Sequence, residues 1–108
     1  RNCKFIVNIC LLEDADGDST NVVTGHLTVN ESAEVCVVCK TECRPNCTIS
    51  WEGPNGFNGN QDGVCFYPMK RGQAGVYVFS STRDSVVSTA NISIRIQCKT
   101  IYGLTYIV

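Results

Sequence analysis

Four of the chain's eight cysteines lie within twelve residues, CVVCKTECRPNC at positions 36–47, spaced C-x2-C-x3-C-x3-C. A run this dense admits three readings: a metal site, a redox motif or a set of disulfides. Metal knuckles bring together two CxxC-like pairs from separate turns, because tetrahedral ligation draws both turns onto one ion. Here there is no second pair, and Val37 and Val38 stand where a knuckle uses Gly or polar turn residues. Strand alternation adds to this. The stretch EVCVV at 34–38 has strand composition, and residues three apart on a strand face opposite ways. With Cys39 pointing inward, Cys36 points outward, and the two cannot grip one ion. A thioredoxin-type motif sets its CxxC at a helix N-terminus to lower the thiol pKa, and no helical periodicity follows. Disulfides are the reading that remains. Eight cysteines allow 105 pairings, so Cys3, Cys10, Cys36, Cys39, Cys43, Cys47, Cys65 and Cys98 are expected in bridges whose connectivity stays open.

Disulfides belong to oxidising compartments. Three N-x-S/T sequons, at Asn30, Asn46 and Asn91, point to the same place. The expectation is an extracellular glycoprotein, secreted or at the cell surface. A length of 108 residues suits one domain, 1–108. The net charge of −1 offers no basic face for nucleic acid or an anionic membrane. The longest apolar stretches, 4–12 and 101–108, are too short to span a bilayer. The chain reads as an ectodomain segment tethered to a membrane through a segment outside it.

The periodicity is that of strands. HLTVN (26–30), EVCVV (34–38), TISW (48–51), VCFY (64–67), GVYVFSS (75–81), VVSTANISIRIQC (86–98) and LTYIV (104–108) are rich in Val, Ile, Thr, Tyr and Phe. Turn clusters separate them, above all EDADGDST (13–20) and EGPNGFNGNQDG (52–63). Short strands spaced this way predict an antiparallel all-β sandwich or barrel.

Three stretches carry a more specific pattern: LTVNESAEVCVVC, with alternate positions leading to Cys39; TISW, with Trp51 twelve residues later; and RGQAGVYVF, with Gly75 and Tyr77 two apart. Over residues 25–97 the chain resembles an immunoglobulin-superfamily domain. The resemblance implies an immunoglobulin-like antiparallel β-sandwich stabilised by several disulfides. Cys39 takes the inward position of strand B, Trp51 the core tryptophan of strand C, and Tyr77 the tyrosine corner opening strand F. It also exposes departures. The second core cysteine of the family falls at Phe79, which fills apolar space but cannot bond to Cys39. Trp51 and Tyr77 are only 26 residues apart, so either the middle strands are abbreviated or strand F is misplaced. Segment 1–24 is longer than one leading strand needs. Within the implied sandwich, Cys39 bonds elsewhere or stays a buried thiol, and Cys65 pairs with Cys36 or Cys39. Cys43 and Cys47 fall in the B–C loop within reach of Cys3, and Cys98 lies at the other end, nearer Cys10.

The residues that carry enzyme chemistry elsewhere read as ordinary here. Asp14, Asp16 and Asp18 alternate as in calcium loops, but position 12 counted from Asp14 is Gly25 rather than Glu. His26 is the single histidine and sits in a strand pattern with no nucleophile motif beside it. GPNGFNG lacks the Lys-Ser/Thr of a phosphate loop. No enzyme, cofactor or metal is expected. The resemblance implies a recognition or adhesion module of a cell-surface receptor, whose partner is a protein on another cell or a second copy of the chain. Its departures are most like those of rapidly diversifying invertebrate self/non-self receptors, including allorecognition proteins. The alternative is a secreted disulfide-rich effector of toxin, growth-factor or inhibitor type. The sequons exclude parts of three regions from any contact face.

Overall fold

The computed structural model describes residues 8–14, 19–22, 25–42, 46–98 and 107–108. Their strands are β1 (Asn8–Asp14), β2 (Ser19–Val22), β3 (His26–Asn30), β4 (Val35–Thr41), β5 (Thr48–Glu52), β6 (Asn58–Gly59), β7 (Gly63–Phe66), β8 (Gly75–Arg83) and β9 (Val86–Gln97). They form two sheets. One has the order β2-β1-β4-β7, the other β3-β9-β8-β5-β6. Every pairing is antiparallel except β3 with β9, which is parallel.

Each main strand obeys a period of two, and the apolar parity faces the gap between the sheets. From β9, Ile92, Ile94 and Ile96 point in, while Asn91, Arg95 and Gln97 are exposed. From β8, Tyr77, Phe79 and Ser81 point in. From the facing sheet come Cys10, Val37, Cys39, Val64 and Phe66. Trp51 of β5 lies 5.2 Å from Phe79, ring centroid to centroid, and both are almost wholly buried. The turn after β7 passes through a cis Tyr67–Pro68 peptide and drops Met69 into the core. Met69 is also held by backbone: its N–H donates to the Ala33 carbonyl at 2.8 Å, and its carbonyl accepts from Ser32 N–H at 2.9 Å.

The short Trp51-to-Tyr77 interval is explained by abbreviation. Only the two-residue β6 and the four-residue β7 lie between β5 and β8. Tyr77 stands on β8, between β5 and β9, where the resemblance placed strand F. Its hydroxyl donates 2.8 Å to the Gln73 carbonyl, four residues upstream, and its ring meets Phe57 and Phe66 edge-on. Two glycines make room around it. A Cβ on Gly53 would come within 2.7 Å of the Tyr77 ring. At Gly75, φ is +143° and a Cβ would lie 2.5 Å from Pro54 Cγ, so both backbone and space demand glycine. The long leading segment is a hairpin: β1 pairs with β4 and β2 pairs on the outside of β1. The expected strand 104–108 falls mostly outside the described residues. Ile107 and Val108 pair antiparallel with the end of β9.

The register decides the disulfides. Cys10 lies opposite Cys39 and Cys36 opposite Cys65, and both pairs are bonded. β4 is thus stapled to β1 through its inner face and to β7 through its outer face. Of the two partners open to Cys65 from sequence, the structure selects Cys36. Cys39, left without a partner by Phe79, takes one from the neighbouring strand. Cys47 and Cys98 were expected in bridges, but in the structure they are buried thiols. They cannot bond to each other. Thr48 pairs with Thr82 and Thr82 with Val87, so ten residues of β9, about 33 Å, separate their ends of the sheet. Cys98 also has no route to Cys10, whose sulfur is held by Cys39. Cys3 and Cys43 lie outside the described residues.

Two expectations follow. Both disulfides close loops of equal sequence separation, 29 residues. Replacing either pair by alanines should therefore cost about 3.5 kcal/mol through the unfolded chain. The Cys10–Cys39 pair should cost more, because its removal also opens the core. Guanidinium melts of the two double variants check this. Burial raises the Tyr77 pKa above the ordinary tyrosine value. The native state then holds its proton more tightly than the unfolded chain, so this contribution is complete below about pH 10. It is lost as pH rises from there through the native value. Tyr77→Phe should be less stable by about 0.5–1.5 kcal/mol at pH 8, for its missing hydrogen bond. The gap should narrow at pH 11, because Phe has no proton to lose.

Candidate interaction surface

The sandwich leaves two outer faces, and they differ. On the five-stranded sheet, alternation turns Thr48, Ser50 and Glu52 of β5, Val78, Ser80 and Thr82 of β8, and Thr89, Asn91 and Ser93 of β9 outward. Small hydroxyl and amide groups dominate this face. Two of the three sequon asparagines, Asn30 and Asn91, stand on this sheet, and the third precedes β5. Asn91 is exposed on β9 opposite Val78. Asn30 is exposed at the end of β3 opposite Gln97. Asn46 is exposed two residues ahead of β5. Its neighbour in the sequon, Cys47, is buried.

The four-stranded sheet carries no sequon. Its outer face is built in three rows by the registers of β1, β4 and β7. The first row is Ile9 and Lys40, the second Leu11, Val38 and Gly63, the third Glu13, Cys36 and Cys65. Ile9 is 51% exposed, and Tyr67, at the end of β7, is 59% exposed. Leu11 and Val38 are half-buried between them. Cys36 points outward, as alternation requires, yet is only 7% exposed. Tyr67 covers it, with the phenol oxygen 2.9 Å from Cys36 Sγ. Charge stands at two opposite corners: Lys40 on β4 in the first row, Glu13 on β1 in the third.

Among the described residues, an ion pair closes the edge of the sandwich. Arg71 donates to both carboxylate oxygens of Glu31, at 2.7 and 3.3 Å, joining the short 3-10 turn Arg71–Gln73 to the turn between β3 and β4. His26 is exposed on β3. Asp16 and Asp18 lie outside the described residues, and among the described residues no cluster of His, Cys, Asp or Glu has metal-site geometry.

The same arrangement of strands occurs in solved structures. The Ig-like domain of human leucine-rich repeat-containing protein 4 superposes with a TM-score of 0.61 at 17% identity, covering 95% of this chain and 96% of that one. The fold is immunoglobulin-like. A chain of the titin M10–obscurin-like 1 immunoglobulin complex gives a TM-score of 0.52 at 16% identity, covering 88% of this chain and all of that one. A chimeric titin Z1Z2 gives 0.51 at 10% identity, covering 84% and 99%. No protein-family model and no curated protein matches the sequence. The likeness thus lies in the backbone. Trp51 is buried on β5 and Tyr77 on β8; of the two disulfides, Cys36–Cys65 is one of the pairings left open for Cys65, while Cys10–Cys39 was not anticipated. Sequence reasoning missed the outward face of β1 and β4 as a unit. The signal was present in the alternation of Ile9, Leu11 and Glu13, but only the β1–β4 register makes it a surface.

Proposed function

We propose that this chain is the extracellular recognition domain of a cell-surface receptor, and that it binds a second copy of itself through the outer face of the four-stranded sheet. An immunoglobulin-like sandwich supports a protein-interaction role, because its exposed sheet faces and end loops are available for contacts. Two disulfides are consistent with an extracellular compartment. Membrane tethering through a segment outside this chain completes the receptor reading. The unusual cysteine framework suits a fast-diversifying self/non-self receptor, in which the sandwich is kept and its staples are moved.

The observation that carries the reading is the sequon-free face with its apolar centre and opposite charges at opposite corners. Glycans on Asn30 and Asn91 would crowd the other sheet and leave this one open. The charges are self-complementary. Lys40 and Glu13 are separated by four residues along the strands and one strand across, about 13 Å by 5 Å. A twofold axis in the contact plane, perpendicular to the line joining them, sets Lys40 against Glu13 of the second copy, twice over. The two sets of strands then cross at about 40°, near the ~30° at which twisted sheets pack. Such a patch is smaller than a stable dimer needs. Its contact is weak in solution and strengthened where many copies meet between two cells.

Bead clustering with the glycosylated chain tests this. Wild-type beads should cluster. Lys40→Glu or Glu13→Lys should weaken clustering roughly tenfold, by turning two surface attractions into repulsions. Beads bearing Lys40→Glu mixed with beads bearing Glu13→Lys should cluster again, since both pairs are restored. Wild-type beads that never cluster, or single variants that cluster normally, would defeat the proposal. Removing the glycans with Asn30→Gln, Asn46→Gln and Asn91→Gln should leave clustering in place.

A further inference from the structure

The two disulfides differ in how a dissolved thiol meets them. Cys10 and Cys39 are 4% and 1% exposed and belong to the core. In the other pair Cys65 is exposed while Cys36 is covered. A disulfide sulfur has no proton, so in the 2.9 Å contact between Tyr67 and Cys36 the phenol must be the donor. Tyr67 therefore aims an O–H at the covered sulfur, while Cys65, its partner, is an exposed residue. That is the arrangement exchange chemistry requires: an accessible sulfur to attack, and a leaving sulfur whose anion is already hydrogen-bonded.

We propose that Cys65 is a thiol-exchange site that takes small thiols of the glutathione class. The thiol loses its proton to solvent, and its thiolate attacks Cys65 Sγ. A new sulfur–sulfur bond forms to Cys65 as the Cys65–Cys36 bond breaks. The bonding pair leaves on Cys36 as a thiolate, which accepts the Tyr67 hydrogen bond and later takes a proton from solvent. One disulfide is exchanged for another, and no external oxidant or reductant is consumed. The product carries the small thiol on Cys65. A second thiol attacking the outer sulfur of that adduct releases the two thiols as their own disulfide and leaves Cys65 as a thiol, so the pair can also be reduced in full. The fold survives either step. β7 keeps Val64 and Phe66 in the core and its register with β4, and the Cys10–Cys39 staple remains closed. The site lies in the third row of the outer face, on β7 and one strand beyond the Cys36 that faces Glu13, so an adduct there alters the surface without unfolding the domain.

Exposure of the folded, oxidised chain to graded reduced glutathione, followed by acid quenching, alkylation and peptide mass mapping, tests the site. The adduct should appear on Cys65, with Cys36 alkylated and Cys10 still joined to Cys39. Tyr67→Phe should slow formation of the adduct roughly tenfold, the loss expected for one hydrogen bond to a developing anion, and leave Cys10–Cys39 as resistant as in the wild type. Tyr67 is exposed, and an unchanged Trp51 fluorescence spectrum will show that the variant is folded. An adduct on Cys36, opening of Cys10–Cys39 at the same glutathione concentration, no exchange at all, or an unchanged rate in folded Tyr67→Phe would each overturn the assignment. The readout needs no partner, so it stands or falls separately from self-binding.

Discussion

The two sheets are held together by packing. Among the described residues no covalent bond crosses from one to the other, because both disulfides lie within the sheet β2-β1-β4-β7. The layer between the sheets therefore has to supply the adhesion that an inter-sheet cystine supplies elsewhere in this architecture. Phe79 and Trp51, side by side on β8 and β5, form the centre of the apolar surface that the five-stranded sheet turns toward the other. An aromatic ring buries far more apolar surface than half a cystine, so the exchange of cysteine for phenylalanine on β8 trades a covalent constraint for contact area. The freed cysteine of β4 did not vanish from the scheme. It turned sideways and bonded within its own sheet.

This has a consequence for the stiffness of the two layers. Strands β1, β4 and β7 form one cross-linked plate, with staples on both of its faces. The facing sheet relies on hydrogen bonds, chiefly the nine-residue register of β8 with β9, and on the three isoleucines of β9. The recognition face proposed for this chain is the outside of the cross-linked plate. A preorganised face loses little entropy on binding, which suits a small contact that has to be selective.

Much of the fold was legible in the sequence, and the limits were physical. Strands β3, β4, β5, β7, β8 and β9 announce themselves by alternation, and the same alternation separates inward Cys39 from outward Cys36. β6 is too short to have a period, and β2 lies next to a turn cluster that hides it. Disulfide pairing was not legible, because it depends on which residue of β1 stands opposite Cys39, and register across 29 residues of chain leaves no local mark. The same limit hid the surface. Sequons can be read one by one, but that Asn30 and Asn91 share one sheet follows only from the order of the strands. Cys47 and Cys98 invited pairing by their number alone, and the length of β9 keeps them apart.

One pairing in the sandwich runs against the rest. β3 lies parallel to β9 over five residue pairs, from His26 with Ser93 to Asn30 with Gln97. Parallel neighbours pulled from opposite ends slide along each other, so every rung between them is loaded at once. An antiparallel pair tugged from one end opens like a zipper, rung by rung. Tension that enters at β3 and leaves at the end of β9 would load this seam in the first way. Along that line of pull, resistance would be set by a short parallel ribbon at the sheet's edge rather than by the cystines, both of which lie in the other sheet.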